Sequence, residues 1–147
     1  MKNPVSTFHL QPKMHTYLRY GNSLEQLVGA ICTMDADIVN GFLADAHLCN
    51  NTDRETCFDQ LVELFAYCER KKDRFFHAFA ARCQNSGCNG CSSRSFVFVG
   101  DHTGNYIGMK FDLEQGRVIR FKECTSIRMP IATRPGAKEL YLSEDPF

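Results

Sequence analysis

Tryptophan is absent from the 147 residues, and neither sign of charge is in excess, with 17 basic side chains against 17 acidic ones. A nucleic-acid-binding chain normally carries a basic surplus, so the balance argues against nucleic acid as a partner. It argues equally against an acidic solvating tail. No apolar run approaches ~18 residues, so no segment reads as a membrane span and no membrane partner is expected. Met1-Lys2-Asn3-Pro4 is not followed by a continuous apolar stretch, so no signal peptide is expected, and a cytoplasmic location is. Also missing are a P-loop, a dinucleotide glycine fingerprint, a Gly-x-Ser-x-Gly elbow and a His-Glu-x-x-His pair. The common nucleotide-binding and hydrolase signatures are therefore excluded.

What is present suits a single folded unit. The chain is 44% apolar, and its length can bury a core without covalent staples. Residues 1–22 are polar, contain Pro4 and Pro12 and show no helical period, which reads as an arm. Residues 23–127 read as one domain. Residues 128–147 hold Pro130, Pro135-Gly136 and Pro146 and read as a tail that lies over the domain or frays.

Three helices are legible first. Ser23-Leu24-Glu25-Gln26 has the Ser-x-x-Gln form of a capping box, and Leu24, Leu27, Val28 and Ile31 then share one face. Asp35 can cap a second, shorter helix with Ile38-Val39 and Phe42-Leu43 as its buried pairs. Thr52-Asp53-Arg54-Glu55 opens the clearest helix, with Phe58, Leu61, Val62, Phe65 and Cys68 on one stripe. Its last turn carries Arg70, Lys71 and Lys72, a basic triplet that suits the negative end of the helix dipole and reads as a solvated helix end.

The period then changes from 3.6 to 2. Residues 73–82 alternate, with Phe75, His77, Phe79 and Ala81 on one face and Phe76, Ala78 and Ala80 on the other. Residues 95–100 form a short strand, and Asp101-His102-Thr103-Gly104 a turn. Residues 105–113 place Ile107, Met109, Phe111 and Leu113 together. Glu114-Gln115-Gly116 reads as a hairpin turn, and residues 118–124 close the meander with Ile119 and Phe121 inward. With a short strand around His47–Cys49, the fold class is α+β: helices packed on a curved, cone-like, mainly antiparallel sheet of four to six strands.

This order of elements resembles the nuclear-transport-factor-like superfamily, which includes ketosteroid isomerases and polyketide cyclases. The resemblance covers roughly residues 23–127. It rests on Leu27-Val28-Gly29-Ala30-Ile31 through Asp37-Ile38-Val39-Asn40-Gly41-Phe42-Leu43-Ala44-Asp45, similar to the family's opening helix pair. Gly104-Asn105-Tyr106-Ile107 through Glu114-Gln115-Gly116-Arg117-Val118-Ile119 is similar to its last hairpin. The resemblance implies a fold, and a homodimer through the open sheet face. It implies no activity, because neither segment is a catalytic motif.

The eight cysteines carry the chemistry. Cys83, Cys88 and Cys91 form C-x4-C-x2-C in a loop of Gly, Asn and Ser (residues 83–91) between the first two strands of the meander. Buried core cysteines sit inside periodic elements, whereas these sit among turn residues that let sulfurs converge on a metal. Structural zinc is the favoured cofactor. A [2Fe–2S] cluster is the alternative, because C-x4-C-x2-C followed by the distant Cys124 matches plant-type ferredoxin spacing. A reversible disulfide is a third reading. In an up-and-down meander Cys124 falls near the far end of the sheet from the loop. Cys57 and Cys49 are therefore its rivals as fourth ligand, and the choice stays open. Cys32 and Cys68 lie on helical stripes and read as core.

A cone-shaped sheet crossed by helices encloses a pocket where a small molecule can bind. His77 is the weak catalytic candidate there, since it alternates in phase with Phe75 and Phe79. A core or edge histidine explains it as well. Tyr106 and Asp112 could line a polar wall of that pocket or a solvated face. His102 in its turn, and His9, His15 and His47 in arm or loop, read as surface. The sequence thus reads as a small binding or accessory domain with a zinc-type cysteine loop. The alternatives are an iron–sulfur or thiol-redox protein using the same loop, and a pocket enzyme of the isomerase or cyclase type.

Overall fold

The computed structural model describes residues 22–43, 48–49, 53–83, 93–124 and 127–142. Three helices, α1 (Ser23–Cys32), α2 (Ala36–Gly41) and α3 (Arg54–Arg70), share one face of a sheet. The strands are β1 (Leu48–Cys49), β2 (Phe76–Cys83), β3 (Ser93–Gly100), β4 (Tyr106–Glu114), β5 (Arg117–Glu123) and β6 (Ile127–Arg128), in the order β1-β5-β4-β3-β2-β6. The four central strands are antiparallel, and β1 joins β5 in parallel. The α+β class with helices on an open antiparallel sheet is the fold observed.

Local chemistry sets the helix ends. α1 begins one residue earlier than the Ser-x-x-Gln pattern implies. Asn22 accepts from the Glu25 N–H at 2.9 Å, and Glu25 accepts from the Asn22 N–H at 3.0 Å, which completes a capping box. Ser23 is thereby released, and its Oγ accepts from the Val118 N–H at 3.0 Å, tying the helix to β5. Asp35 caps α2 by accepting from the N–H groups of Asp37 and Ile38. Asp53 caps α3 by accepting from the Thr56 N–H at 2.7 Å, and that bond holds its carboxyl below the usual range.

The buried stripe of α3 is Cys57, Leu61, Leu64, Phe65 and Cys68. Val62, expected on it, is 41% exposed, and Phe58 is only half-buried. The helix is rotated so that Cys57 and Leu64 point inward. α3 then closes in a Schellman motif: the Lys72 N–H donates to Glu69 O and the Asp73 N–H to Cys68 O, with Lys72 at φ +77°. That turn ends the helix and carries Asp73 to the turn that follows β3. β2 consequently starts at Phe76 rather than at Asp73.

Phenylalanine fills the space between helices and sheet. Phe76, Phe98, Phe111 and Phe121, one from each of β2 to β5, are fully buried together with Leu27, Ile31 and Leu61 from the helices. Phe76 lies 6.0 Å from Phe98, Phe98 6.4 Å from Phe111, and Phe111 5.5 Å from Phe121, centroid to centroid. These are favourable aromatic separations.

Two details depart from simple alternation. In β5 the register passes from Leu113↔Val118 to Asp112↔Arg120, so Ile119 is an extra residue. The bulge puts Val118 and Phe121 inward and leaves Ile119 half-buried, where alternation places Ile119 and Phe121 together. The Gln115-Gly116 turn has φ +54° and +80°, the positive pair that a tight two-residue hairpin requires.

The second face of the sheet is covered as well. Phe79, Val97 and Val99 form a smaller cluster with Ala81, Tyr106, Cys124, Met129 and Ile131. The segment expected as a tail lies over the domain through residue 142. β6 pairs with the end of β2, and Glu139 bridges to Tyr106 where β5 has already ended. Leu140 and Leu142 are buried in the main core.

Candidate functional site

Sequence periodicity places His77 in phase with Phe79, and the structure shows which face that is. The helices cover Phe76 and Ala78, so His77 belongs to the opposite face. The expectation that His77 projects into a helix-covered pocket is therefore corrected. Both faces of β2 are apolar, so alternation alone could not say which one the helices take.

On that opposite face, β2, β3 and the segment after β6 enclose a cavity of about 130 Å3. Phe79, Val99, Met129 and Ile131 give it an apolar lining, with His77 and Arg134 as its titratable residues. His77 is half-buried and meets Phe75 edge to face at 5.2 Å. Arg134 roofs one side. Its guanidinium donates to the carbonyl oxygens of His102 and Asp101, the latter at 3.1 Å. Its stem lies over Gly104, where an added Cβ would come within 2.8 Å of Arg134 Cδ. Gly104, at φ +79°, is needed both for the backbone and for that close approach.

The wall of the cavity is held by a turn built on two carboxylates. Asp73 is buried and accepts from the N–H groups of His102 and Thr103 and from the Thr103 hydroxyl, each at 2.8 Å. Asp101 accepts from the Arg74 N–H at 2.7 Å and pairs with the Arg74 guanidinium at 3.3 Å. Asn105, also buried, accepts from the Lys138 N–H at 3.0 Å. The turn between β3 and β4 is thus tied to the end of α3 on one side and to the chain after β6 on the other. His102 is exposed and enters this network only through its backbone.

The remaining polar candidates are engaged in the sheet. Asp112 pairs with Arg120 across β4 and β5 at 2.6 Å, and Tyr106 is half-buried in the second cluster. His9, His15 and His47 lie outside the described residues.

The cysteines divide more finely than spacing alone suggests. Cys32, Cys68 and Cys124 are free thiols. Burial pushes the Cys32 thiol far above its ordinary value, and burial together with the Asp73 and Glu69 carboxylates pushes Cys68 up to about 12. Both stay protonated and inert at neutral pH, as core cysteines should. Cys57 is disulfide-bonded and fully buried. Its sulfur is bonded to another cysteine here, which counts against it as a fourth ligand.

Cys124 also stands differently from the expectation. Its N–H donates to Gly108 O, and Gly108 is level with Val97 and Phe79. It thus falls at the middle of β2 rather than at the far end, because β5 pairs with only part of β4 and stops at Glu123. Level with Phe79, it is four residues, roughly 13 Å, from Cys83 in the strand direction, with β4 and β3 also lying between β5 and β2. Cys83 closes β2. Its side chain, the side chain of Cys49, and Cys88 and Cys91 lie outside the described residues. Among the described residues no three His, Cys, Asp or Glu side chains converge as a metal site.

No family model, curated protein or solved structure matches the chain. No helix among the described residues is long and apolar enough to cross a membrane.

Residues that composition and spacing did not single out carry much of this site. Met129, Ile131 and Arg134 come from a segment rich in proline and without period, and only the folded chain brings them over β2. Asp73 directly follows the basic triplet and reads from sequence only as the first residue of the strand 73–82.

Proposed function

We propose that the chain is a small binding module whose ligand site is the cavity on the second face of the sheet. The observation that carries this reading is the cavity itself, apolar on most of its wall, with His77 as a polar handle and a rigid hydrogen-bonded turn beside it. Most small-molecule sites combine an apolar lining with a few fixed polar groups. At about 130 Å3 it is close to the size that holds one benzene ring. The ligand is therefore a small, mostly apolar molecule with one hydrogen-bonding group directed at His77. The helix-covered face, where a pocket enzyme would act, supports catalysis less well because aromatic rings occupy it.

Phenol and toluene are suitable probes, followed by methyl NMR of Met129 and Ile131. Saturable shifts at both methyls, with phenol weakened in His77→Leu and toluene unaffected, support the site. Absence of saturable shifts at either methyl overturns it.

The cysteine loop is proposed as a structural zinc site holding Cys83, Cys88 and Cys91. Its support is the hairpin: Ala81 pairs with Ser95, so the loop leaves and re-enters adjacent antiparallel strands and its ends are fixed close together. Elemental analysis of the purified protein together with a visible spectrum tests this reading. Zinc near one per chain without colour supports it, and a brown, sulfide-containing protein replaces it with the iron–sulfur reading.

A disulfide at Cys57 also bears on location. Such bonds persist in oxidising compartments and are rare in the cytosol. We propose an oxidising compartment in place of the cytoplasm. The order of two helices, short strand, long helix and four-stranded meander supports a nuclear-transport-factor-like fold; the homodimer that this resemblance implies would have to use sheet-face surface that Met129 and Ile131 leave uncovered.

A further inference from the structure

We infer that the C-terminal end of α3 carries a site for a tetrahedral oxyanion, formed by Arg70, Lys71 and Lys138 around the ring of Tyr67. The three cationic groups lie 5.8, 5.7 and 5.3 Å from the centre of that one ring. Arg70 and Lys71 reach it because residues three and four positions on share a helix face with Tyr67. Lys138 reaches it from a distant segment, and its backbone is fixed at both polar atoms. Its N–H donates to Asn105 Oδ1 at 3.0 Å, and its carbonyl accepts from the Tyr106 N–H at 3.1 Å. The third cation is thus placed by the same network that shapes the β3–β4 turn.

All three residues are exposed, while Tyr67 is buried beneath them. Among the described residues none of the three forms an ion pair or a side-chain hydrogen bond, although Glu69 and Glu139 are sequence neighbours. Three like charges gathered at one ring repel one another, by about 1 kcal/mol per pair in water at 4 Å and by less at wider spacing. The ring face and the carbonyl end of the helix offset only part of this. A doubly charged anion between them would offset the rest. The grouping around a single ring fits one compact group, a sulfate or phosphate, rather than an extended polymer, whose cations are usually strung along a groove. This site is separate from the cavity at His77 and stands whether or not that cavity binds a ligand.

The test is titration of the intact protein with inorganic sulfate and with inorganic phosphate at constant ionic strength, with chloride as control, read by NMR at Tyr67, Lys71 and Lys138. The expected result is saturable shifts at all three residues for at least one of the two anions. Lys138→Gln should weaken binding at least 10-fold, and so should Lys71→Gln, which leaves the segment around residue 138 untouched. Saturation with phosphate alone assigns a phosphate group, with sulfate alone a sulfate group, and with both a general tetrahedral dianion. Shifts that follow ionic strength equally for chloride, or that survive both substitutions, overturn the site.

Discussion

Asp73 occupies the space that a side chain on Gly100 would need. An ideal Cβ at Gly100 would lie 2.5 Å from Asp73 Oδ2 and 2.6 Å from its Cγ. The carboxylate cannot retreat without giving up its bonds to His102 and Thr103. Gly100→Ala should therefore destabilise the protein by about 1–3 kcal/mol, the usual cost of overpacking. Asp73→Ala should cost about 2–3 kcal/mol through lost charge-assisted hydrogen bonds. Because the second change removes the obstacle met by the first, the double variant should lose clearly less than the sum of the two. Denaturant midpoints of the four proteins decide this, and strict additivity would refute the coupling.

The two core thiols make a prediction at alkaline pH. Cys68 is pushed up from 9.0 to about 12, and Cys32 is raised too. Above pH ~9 the unfolded chain has released protons that the folded chain still holds, so stability falls as pH rises. Below that pH the two thiols leave stability unchanged. The decline should run from about pH 9 towards 12, and Cys68→Val should make it shallower by up to one proton. Equal slopes for the variant and the parent between about pH 9 and 10.5 would contradict this assignment.

The Gln115-Gly116 turn is open to improvement. Gln115 holds φ +54°, a conformation that asparagine adopts more readily than glutamine. Gln115→Asn should stabilise the β4–β5 hairpin by up to about 1 kcal/mol. Gly116→Ala, at φ +80°, should destabilise it by about 1 kcal/mol. Thermal melts showing the opposite order would mean that the turn does not limit the hairpin.

Reductant and chelator test the disulfide and the zinc readings separately. Reduction of the bond at Cys57 should lower stability by about 2–4 kcal/mol, and thiol counting under denaturing conditions should report the loss of the disulfide. If the 83–91 loop holds zinc, a chelator lowers the melting temperature without changing the thiol count of the denatured, fully reduced chain, and Cys88→Ser does the same. A melting temperature indifferent to chelator and to Cys88→Ser removes the zinc reading while leaving the disulfide in place.

Much of the architecture was legible in the sequence. The switch from a 3.6-residue to a two-residue period marks the passage from helices to meander, and Gln115-Gly116 marks its last turn. The core assignments of Cys32, Leu61, Phe65 and Cys68 rest on helical spacing and match their burial. What periodicity could not supply was a choice between two covered faces. Phe96-Val97-Phe98-Val99 is apolar on both, so nothing in it says that the helices take the phenylalanines and residues 129–131 the valines. The bulge at Ile119 likewise depends on how β4 and β5 meet, and no residue announces it. The site around His77 was missed for the same reason: half of it comes from a segment with no period of its own.

The way the chain returns on itself also sets how it can come apart. Ser23 at the start of α1 is bonded to Val118, Leu48 pairs with Arg120, and Leu140 and Leu142 finish the core that Leu27 begins. No contiguous half of the polypeptide therefore owns a hydrophobic interior. A cut between α3 and β2 would leave two fragments that are each unstable alone, yet able to reassemble when mixed. Contacts so distant in sequence also delay closure, because long loops must be ordered before they are rewarded. Folding is on this ground expected to be slow and cooperative.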